Sequence, residues 1–317
     1  MVNDYVVGID IGGQSVKMGV IDRRANFLAR DRFDITVYGK EDTERFLNDL
    51  CDHIRSLASK VGMESIKGVG IGAPDGNYYD GTIVDAVNLP WAKGKVVPLR
   101  DYISKELGLN VTVTNDANAA AIGEMTYGNA IGMKDFIEIT LGTGVGSGIV
   151  VGGHLVYGHD GFAGELGHTT AVRHNGRKCG CGKSGCLETY ASSGGVCQTA
   201  REMLDTSEEE SLLRELQNIS SKDVYEAAVR GDAIALRVFE YTGKLLGEKF
   251  ADFVTFSAPE AIILFGGVSN AGDLLLNPVR KYMEENLVHL WKGKVKVLRS
   301  GLPESDAAIL GAGALAW

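Results

Sequence analysis

His168, Cys179, Cys181 and Cys186 offer one imidazole and three thiolates, the donor set of a four-coordinate zinc site. Ten residues separate the histidine from the first cysteine, one lies between Cys179 and Cys181, and four precede Cys186. Gly180, Gly182 and Gly185 fall among them and let the chain wrap an ion. Protein fills all four coordination positions, so the set predicts a structural ion rather than a catalytic one. In zinc-finger peptides such binding is worth roughly 10 to 16 kcal/mol, enough to order a loop. Two carboxylates flank the set: Glu165 stands one helical turn before His168, and Glu188 two residues beyond Cys186. The cluster therefore reads as part of a site.

Three further segments could do chemistry. Asp10-Ile11-Gly12-Gly13-Gln14-Ser15-Val16-Lys17 places an acid at the end of a strand, two glycines in a turn and a lysine on the next strand. Glycines let backbone N–H groups approach an anion, Asp can hold Mg²⁺ and Lys can meet phosphate. An ordinary Gly-rich hairpin accounts for the segment equally well. Leu141-Gly142-Thr143-Gly144-Val145-Gly146-Ser147-Gly148 is a second glycine turn. A dinucleotide fingerprint needs three glycines opening a helix, whereas Ser147 holds the third position and a strand follows. Gly182-Lys183-Ser184 ends like a Walker A loop, but Arg177 stands where its first glycine belongs. A nucleotide would have to bind between the two glycine hairpins. Asn115-Asp116-Ala117-Asn118 follows a strand, and a carboxylate at that junction can take a proton from a hydroxyl nucleophile, a role worth roughly 10² to 10⁴ in rate. Taken alone, Asp116 reads more simply as a helix cap.

The elements that must position these groups are legible in outline. Strands are expected over Tyr5 to Asp10, Val16 to Ile21, Phe27 to Phe33, Lys67 to Ile71 and Val111 to Thr114. A helix is expected from Glu41 to Val61, with Phe46, Leu47, Leu50, Ile54 and Leu57 on one stripe. The pattern restarts with strands over Phe136 to Leu141 and Ser147 to Val151. Helices follow over Glu188 to Leu204, Ser221 to Ala228 and Asp232 to Phe256, then a strand over Ala261 to Leu264 and a last helix from Glu304 to Trp317. A strand-strand-strand-helix opening that recurs after about 130 residues suggests two related α/β lobes closed around a cleft.

At 317 residues the chain is long enough for about two domains. Hydrophobic residues make up 44% and charged residues 23%, the balance of a globular protein rather than a disordered one. With 32 basic against 41 acidic residues there is no electrostatic footprint for nucleic acid. No apolar run reaches the roughly 20 residues needed to span a bilayer, and no secretory signal opens the chain, which points to the cytoplasm. In a reducing compartment close-set cysteines argue for metal over disulfides, and Cys51 and Cys197, outside the cluster, read as buried apolar residues.

Together these segments resemble the ROK family of sugar kinases and sugar-responsive repressors, above all its bacterial glucokinases. The resemblance runs nearly end to end. It rests on Asp10-Ile11-Gly12-Gly13, Asn115-Asp116-Ala117-Asn118, Gly142-Thr143-Gly144-Val145-Gly146, Glu165-Leu166-Gly167-His168 and the string from Cys179 to Glu188. It implies a two-lobed actin/hexokinase-like (ribonuclease H-like) α/β fold with a central cleft: a small lobe of residues 1–117 plus 305–317, and a larger one of 118–304 carrying the zinc loop. It implies that Asp116 is the base for a sugar 6-hydroxyl, and that Asn88, Asn115, Glu165, His168 and Glu188 hold the other hydroxyls. Asp10 would position Mg²⁺. Gly12, Gly13, Gln14, Lys17, Thr143 and Gly144 would flank the ATP phosphates, and Gly266 and Gly267 would lie near adenosine. His168 would serve zinc with one ring nitrogen and sugar with the other. Two positions depart from the family pattern: Gln14 stands where threonine is usual, and Asp75 extends the sugar loop Gly72-Ala73-Pro74-Asp75-Gly76.

The expected activity is ATP-dependent phosphorylation of a hexose, glucose first, with mannose, fructose or an N-acetylhexosamine as alternatives. A sugar-sensing repressor is the rival from another class; such relatives carry an N-terminal helix-turn-helix, whereas here a strand begins by Tyr5 and the charge is acidic. A dehydrogenase is a distant third. The expected partners are a hexose and ATP, with no nucleic acid or membrane, and relatives of this kind are commonly homodimers.

Overall fold

The computed structural model describes residues 4–303 and 306–317. By contacts the chain forms two compact units, one of Met1–Gly132, Leu155–Ala163 and Gly301–Trp317, the other of Met133–His154 and Gly164–Ser300.

The first unit is built on β1 (Tyr5–Ile11), β2 (Ser15–Asp22) and β3 (Phe27–Asp34), followed by α1 (Thr43–Ala58) and β4 (Ile66–Gly72). A short ribbon, β5 (Ile83–Val84) with β6 (Val96–Val97), precedes α2 (Leu99–Leu107), β7 (Val111–Thr114) and α3 (Asp116–Tyr127). The sheet order is β3-β2-β1-β4-β7, antiparallel through β1, β2 and β3 and parallel through β1, β4 and β7. The central strands are apolar on both faces because the sheet is covered on both, whereas β3 alternates half-buried and exposed residues as an edge strand should. The stripe Phe46, Leu47, Leu50, Ile54 and Leu57 of α1 is buried against this sheet, as its spacing predicts.

The second unit repeats the plan. Its strands β8 (Phe136–Leu141), β9 (Val145–Val151) and β10 (His154–Leu155) lead to α4 (Glu188–Ala191), α5 (Ser193–Asp205), α6 (Ser221–Val229) and α7 (Ala233–Ser257). Then come β11 (Ala261–Phe265), α8 (Asp273–Asn286) and β12 (Lys296–Arg299), giving the order β10-β9-β8-β11-β12. In each sheet the first strand pairs antiparallel with the second and parallel with the fourth. The repeat read from element order is thus a repeat of topology.

Several local details differ from expectation. The helix expected over Glu188 to Leu204 is two helices, because Ser192 leaves helical geometry and caps α5 through the Gly195 N–H. The cap of α3 is Asn115, whose side chain accepts from the Ala117 N–H, so Asp116 is the first helical residue and not the cap. The last helix, α9 (Ala307–Ala314), belongs to the first unit, where it packs on β1, β4 and α3; Glu304, its expected start, lies outside the described residues. The helix α3 counts with the first unit as well, since Gly123 meets Gly311 of α9 backbone to backbone. In the division by contacts the opening segment of the first unit runs to Gly132.

Candidate functional site

In the first unit the strand register lines up Asp10 of β1, Gly72 of β4 and Thr114 of β7 across neighbouring parallel strands, at or near their C-terminal ends. That end of a parallel sheet is where α/β folds present ligand-binding groups. Asp116 follows Thr114 by two residues, and its Cα lies 3.5 Å from where a Gly72 Cβ would stand. Lys17 is the cross-strand partner of Asp10. Burial and the Asp116 charge push the Asp10 carboxyl up to about 6, against the opposing pull of Lys17. Asp116 is reachable by solvent yet crowded by protein, and this desolvation raises its carboxyl above the usual range despite the Ala117 N–H it accepts at 2.8 Å. Asp75, at φ 53°, is raised by desolvation and then by Asp116 and Asp85. Like charges are therefore gathered here, an arrangement that a cation or a proton relieves.

Gly12 and Gly13 join β1 to β2 without left-handed backbone, and a Cβ at either would meet only atoms at 3.5 Å or beyond. The fold itself does not demand glycine there; a ligand approaching the backbone would. Asn88 is brought beside this turn, with its backbone oxygen 3.6 Å from the place a Gly13 Cβ would take. Gln14 is exposed at the tip, and its carbonyl accepts the Ile35 N–H.

In the second unit the turn between β8 and β9 carries Thr143 and Gly144, and Gly266 with Gly267 follows the adjacent parallel strand β11. Gly266, at φ 95°, stands so close to Leu141 that a side chain would meet its carbonyl oxygen at 2.7 Å. The Gly142 carbonyl accepts the Ser193 N–H at the start of α5. Glu188 closes the turn from the other side: its Oε2 accepts the Val145 N–H at 3.0 Å and leaves 2.6 Å for a Cβ on Gly144. A side chain at 144 would displace this carboxylate.

The same unit assembles the sulfur cluster. The donor atoms of His168, Cys179, Cys181 and Cys186 all lie within 4.8 Å of one another. The contacts Cys179 Sγ to His168 Nδ1 and Cys181 Sγ to Cys186 Sγ are both 3.6 Å. Metal–sulfur bonds of about 2.3 Å in a tetrahedron give edges of about 3.8 Å, so the donors fit one ion. Burial pushes the Cys179 and Cys186 thiols up, while the Lys183 N–H pulls Cys181 down; a bound cation would favour thiolate at all three. His168 turns Nδ1 to the sulfurs and Nε2 toward Glu165 Oε2, 3.9 Å away. Its segment is seated on β9, where Gly167 packs against the Val145 carbonyl and the Leu166 N–H donates to Ser147 Oγ. The Cys179 thiol also faces Glu188 Oε1 at 3.7 Å, joining the cluster to the glycine turn.

Arg177, which no motif signals, anchors the cysteine loop. Its buried guanidinium pairs with Glu202 at 2.6 Å, donates to the Thr189 and Gly195 carbonyls and covers the Tyr190 ring at 4.4 Å. Thr114, in register with Gly72 at the end of β7, is likewise absent from the sequence-derived site; its only signal was a strand end before Asn115.

Two sheets that share one order, each an antiparallel start joined by a glycine turn and continued by parallel strands, define the actin/hexokinase-like class of fold. The ROK family profile matches residues 6–317, and the chain belongs to the ROK family. It is 37% identical over 290 residues to a glucokinase from Halalkalibacterium halodurans, covering 90% of this chain and 86% of that one. A crystal structure of a ROK family glucokinase from Streptomyces griseus in complex with glucose and AMPPNP superposes with a TM-score of 0.80 at 34% identity, over 98% of both chains. A xylose repressor from Caldicellulosiruptor bescii is 30% identical over 287 residues, 88% of this chain and 70% of that one. Among the described residues no helix is long and apolar enough to cross a membrane.

Proposed function

We propose that this protein is an ATP-dependent hexose kinase acting at the 6-hydroxyl, with glucose as the first candidate and the two units as its lobes. The observation that carries the reading is Asp116 at the end of β7, a solvent-reachable carboxylate with a raised proton affinity. A base works best when its proton affinity approaches the working pH, and the crowding around Asp116 moves it in that direction. Asp116 would accept the 6-hydroxyl proton as the oxygen attacks the γ-phosphorus in line. Asn88, Asn115, Glu165, His168 and Glu188 would hold the remaining hydroxyls; Glu188 keeps spare acceptor capacity after its bond to Val145.

The turn Gly12-Gly13-Gln14 with Lys17, and Thr143 with Gly144, would flank the ATP phosphates, with Gly266 and Gly267 toward adenosine. Asp10 would hold Mg²⁺, which neutralises charge on the β- and γ-phosphates. For the Cys₃His set the best-fitting ion is zinc, whose contribution is to hold the loop between Glu165 and Glu188 and to fix the His168 tautomer.

A coupled ADP-release assay over glucose, mannose, fructose and N-acetylhexosamines tests the reading. Hexose-dependent ADP release, highest with glucose, is expected; none with any sugar would overturn it. A sugar-binding regulator is the second reading, favoured by the likeness to a xylose repressor, and predicts sugar binding without ADP release.

A further inference from the structure

The helix α4 is a single turn that begins on Glu188, and no side chain caps its N-terminus. So short a helix does not hold itself, and the place of Glu188 is set by what grips the turn from outside. The Glu188 carboxylate has two neighbours: its Oε2 accepts the Val145 N–H at 3.0 Å, and its Oε1 faces the Cys179 thiol at 3.7 Å. Neither contact fixes the backbone that carries the carboxylate.

Arg177 grips that backbone. A guanidinium carries five N–H donors, and each of them finds an acceptor here. Nε and Nη2 take the two oxygens of Glu202 at 3.1 and 2.6 Å, Nη1 donates to the Thr189 and Gly195 carbonyls at 2.7 and 3.1 Å, and Nη2 donates again to Thr199 Oγ1 at 2.8 Å. The Arg177 N–H adds a bond to the Tyr190 hydroxyl at 3.0 Å, beneath the guanidinium that covers the same ring. Thr189 and Tyr190 are the two residues after Glu188, whereas Gly195, Thr199 and Glu202 belong to α5. The fork therefore ties α4 to α5. Their backbones meet closely under it: a Cβ on Gly195 would stand 2.8 Å from the Thr189 carbonyl oxygen. With its side chain only 8% exposed, Arg177 commits its charge to these partners rather than to water. Its carbonyl accepts the Gly185 N–H at 2.8 Å, which closes the cysteine loop at its base. All of these contacts lie within the second unit.

We propose that Arg177 is a positioning residue for Glu188: by clamping α4 to α5 it sets where the carboxylate meets the Val145 N–H and where its spare acceptor meets a hexose hydroxyl. The reach to a hydroxyl rests on the kinase reading. The placement of Glu188 does not.

Arg177→Lys tests this, since an ammonium keeps the charge but cannot fork to five acceptors. Hydrogen exchange of the Val145 amide should quicken about tenfold or more, while the amides of β8 stay within about twofold; general loosening would quicken both. In steady-state kinetics KM for the hexose should rise about tenfold with kcat within about threefold of wild type, the pattern of lost binding with the chemical step intact. A partly unfolded sample would instead lose kcat and keep KM. Glu202→Gln, at the half-exposed partner, should move both readouts the same way by less, and it carries the test if Arg177→Lys does not fold. A Val145 amide equal to wild type in both variants would overturn the placement of Glu188, and an unchanged hexose KM would overturn its reach to the sugar. Loss of bound metal in step with the rise in KM would put the effect in the sulfur cluster and overturn the role of Arg177. A wild-type protein that releases no ADP with any hexose would overturn the kinase reading, and the amide exchange would still decide whether Arg177 places Glu188.

Discussion

Asp10 holds its charge against its surroundings. Its carboxyl sits near 6 in the folded protein against about 3.8 unfolded, so its favourable contribution is complete below pH 3.8 and is lost as the pH rises through 6. Above that, the ionised group opposes folding. Asp10→Asn should therefore raise stability on the order of 2 kcal/mol at pH 8 and hardly at all at pH 4. Denaturant melts at the two pH values check this; an equal gain at both would mean the charge is not the cause. With Asp10 in its proposed role, KM for MgATP should climb as the pH falls below 6, where the carboxyl takes up its proton. At this scale the pairing of Asp10 with Asp116 was legible from the strings Asp10-Ile11-Gly12-Gly13 and Asn115-Asp116-Ala117-Asn118, because strand ends and glycine turns advertise such groups. Arg177 was not, since it acts on Glu202, distant in sequence, through a contact that no local pattern encodes.

Among the elements, the β8–β9 turn and the cysteine loop depend on one carboxylate. A methyl at residue 144 would stand 2.6 Å from Glu188 Oε2, so Gly144→Ala should break the bond to Val145, cost about 1–3 kcal/mol and raise KM for ATP. Thermal melts and ATP kinetics on the same sample read both effects. The cysteine loop should respond to chelation: removal of zinc is expected to open residues 173–187 to proteases and to weaken hexose binding before the first unit loosens. Limited proteolysis with and without a chelator measures this, and an unchanged digest after complete metal loss would remove the structural role from the cluster. Long periodic elements such as α1 and α7 were readable because their apolar stripes are unbroken. The helix α8 was missed: Pro278 interrupts it and packs against Gly243 of α7, a tertiary contact that overrides proline's local cost. The two-residue strands β5, β6 and β10 are too short to carry a period at all.

For the whole molecule, the repeated strand order makes each unit a sheet whose first two strands are joined by a glycine turn. That repeat was visible as element order at a spacing of about 130 residues, and the return of the last helix to the first unit was implied by the family resemblance, whereas the return of residues 155–163 depends on contacts between distant segments. The return of α9 is enforced by glycines: side chains at Gly8, Gly70 or Gly311 would collide with backbone oxygens of Ile309, Ala312 or Ala119. Gly311→Val should accordingly destabilise the first unit by about 1–3 kcal/mol or more, seen as a lowered Tm. The account's central claim is that this fold performs phosphoryl transfer with Asp116 as the base. Comparing Asp116→Asn with wild type, by glucose-dependent ADP release and by glucose affinity in titration calorimetry, tests it most directly. The account predicts that turnover falls by about 10² to 10⁴ or beyond while glucose Kd stays within about threefold. Turnover retained within tenfold of wild type would contradict it.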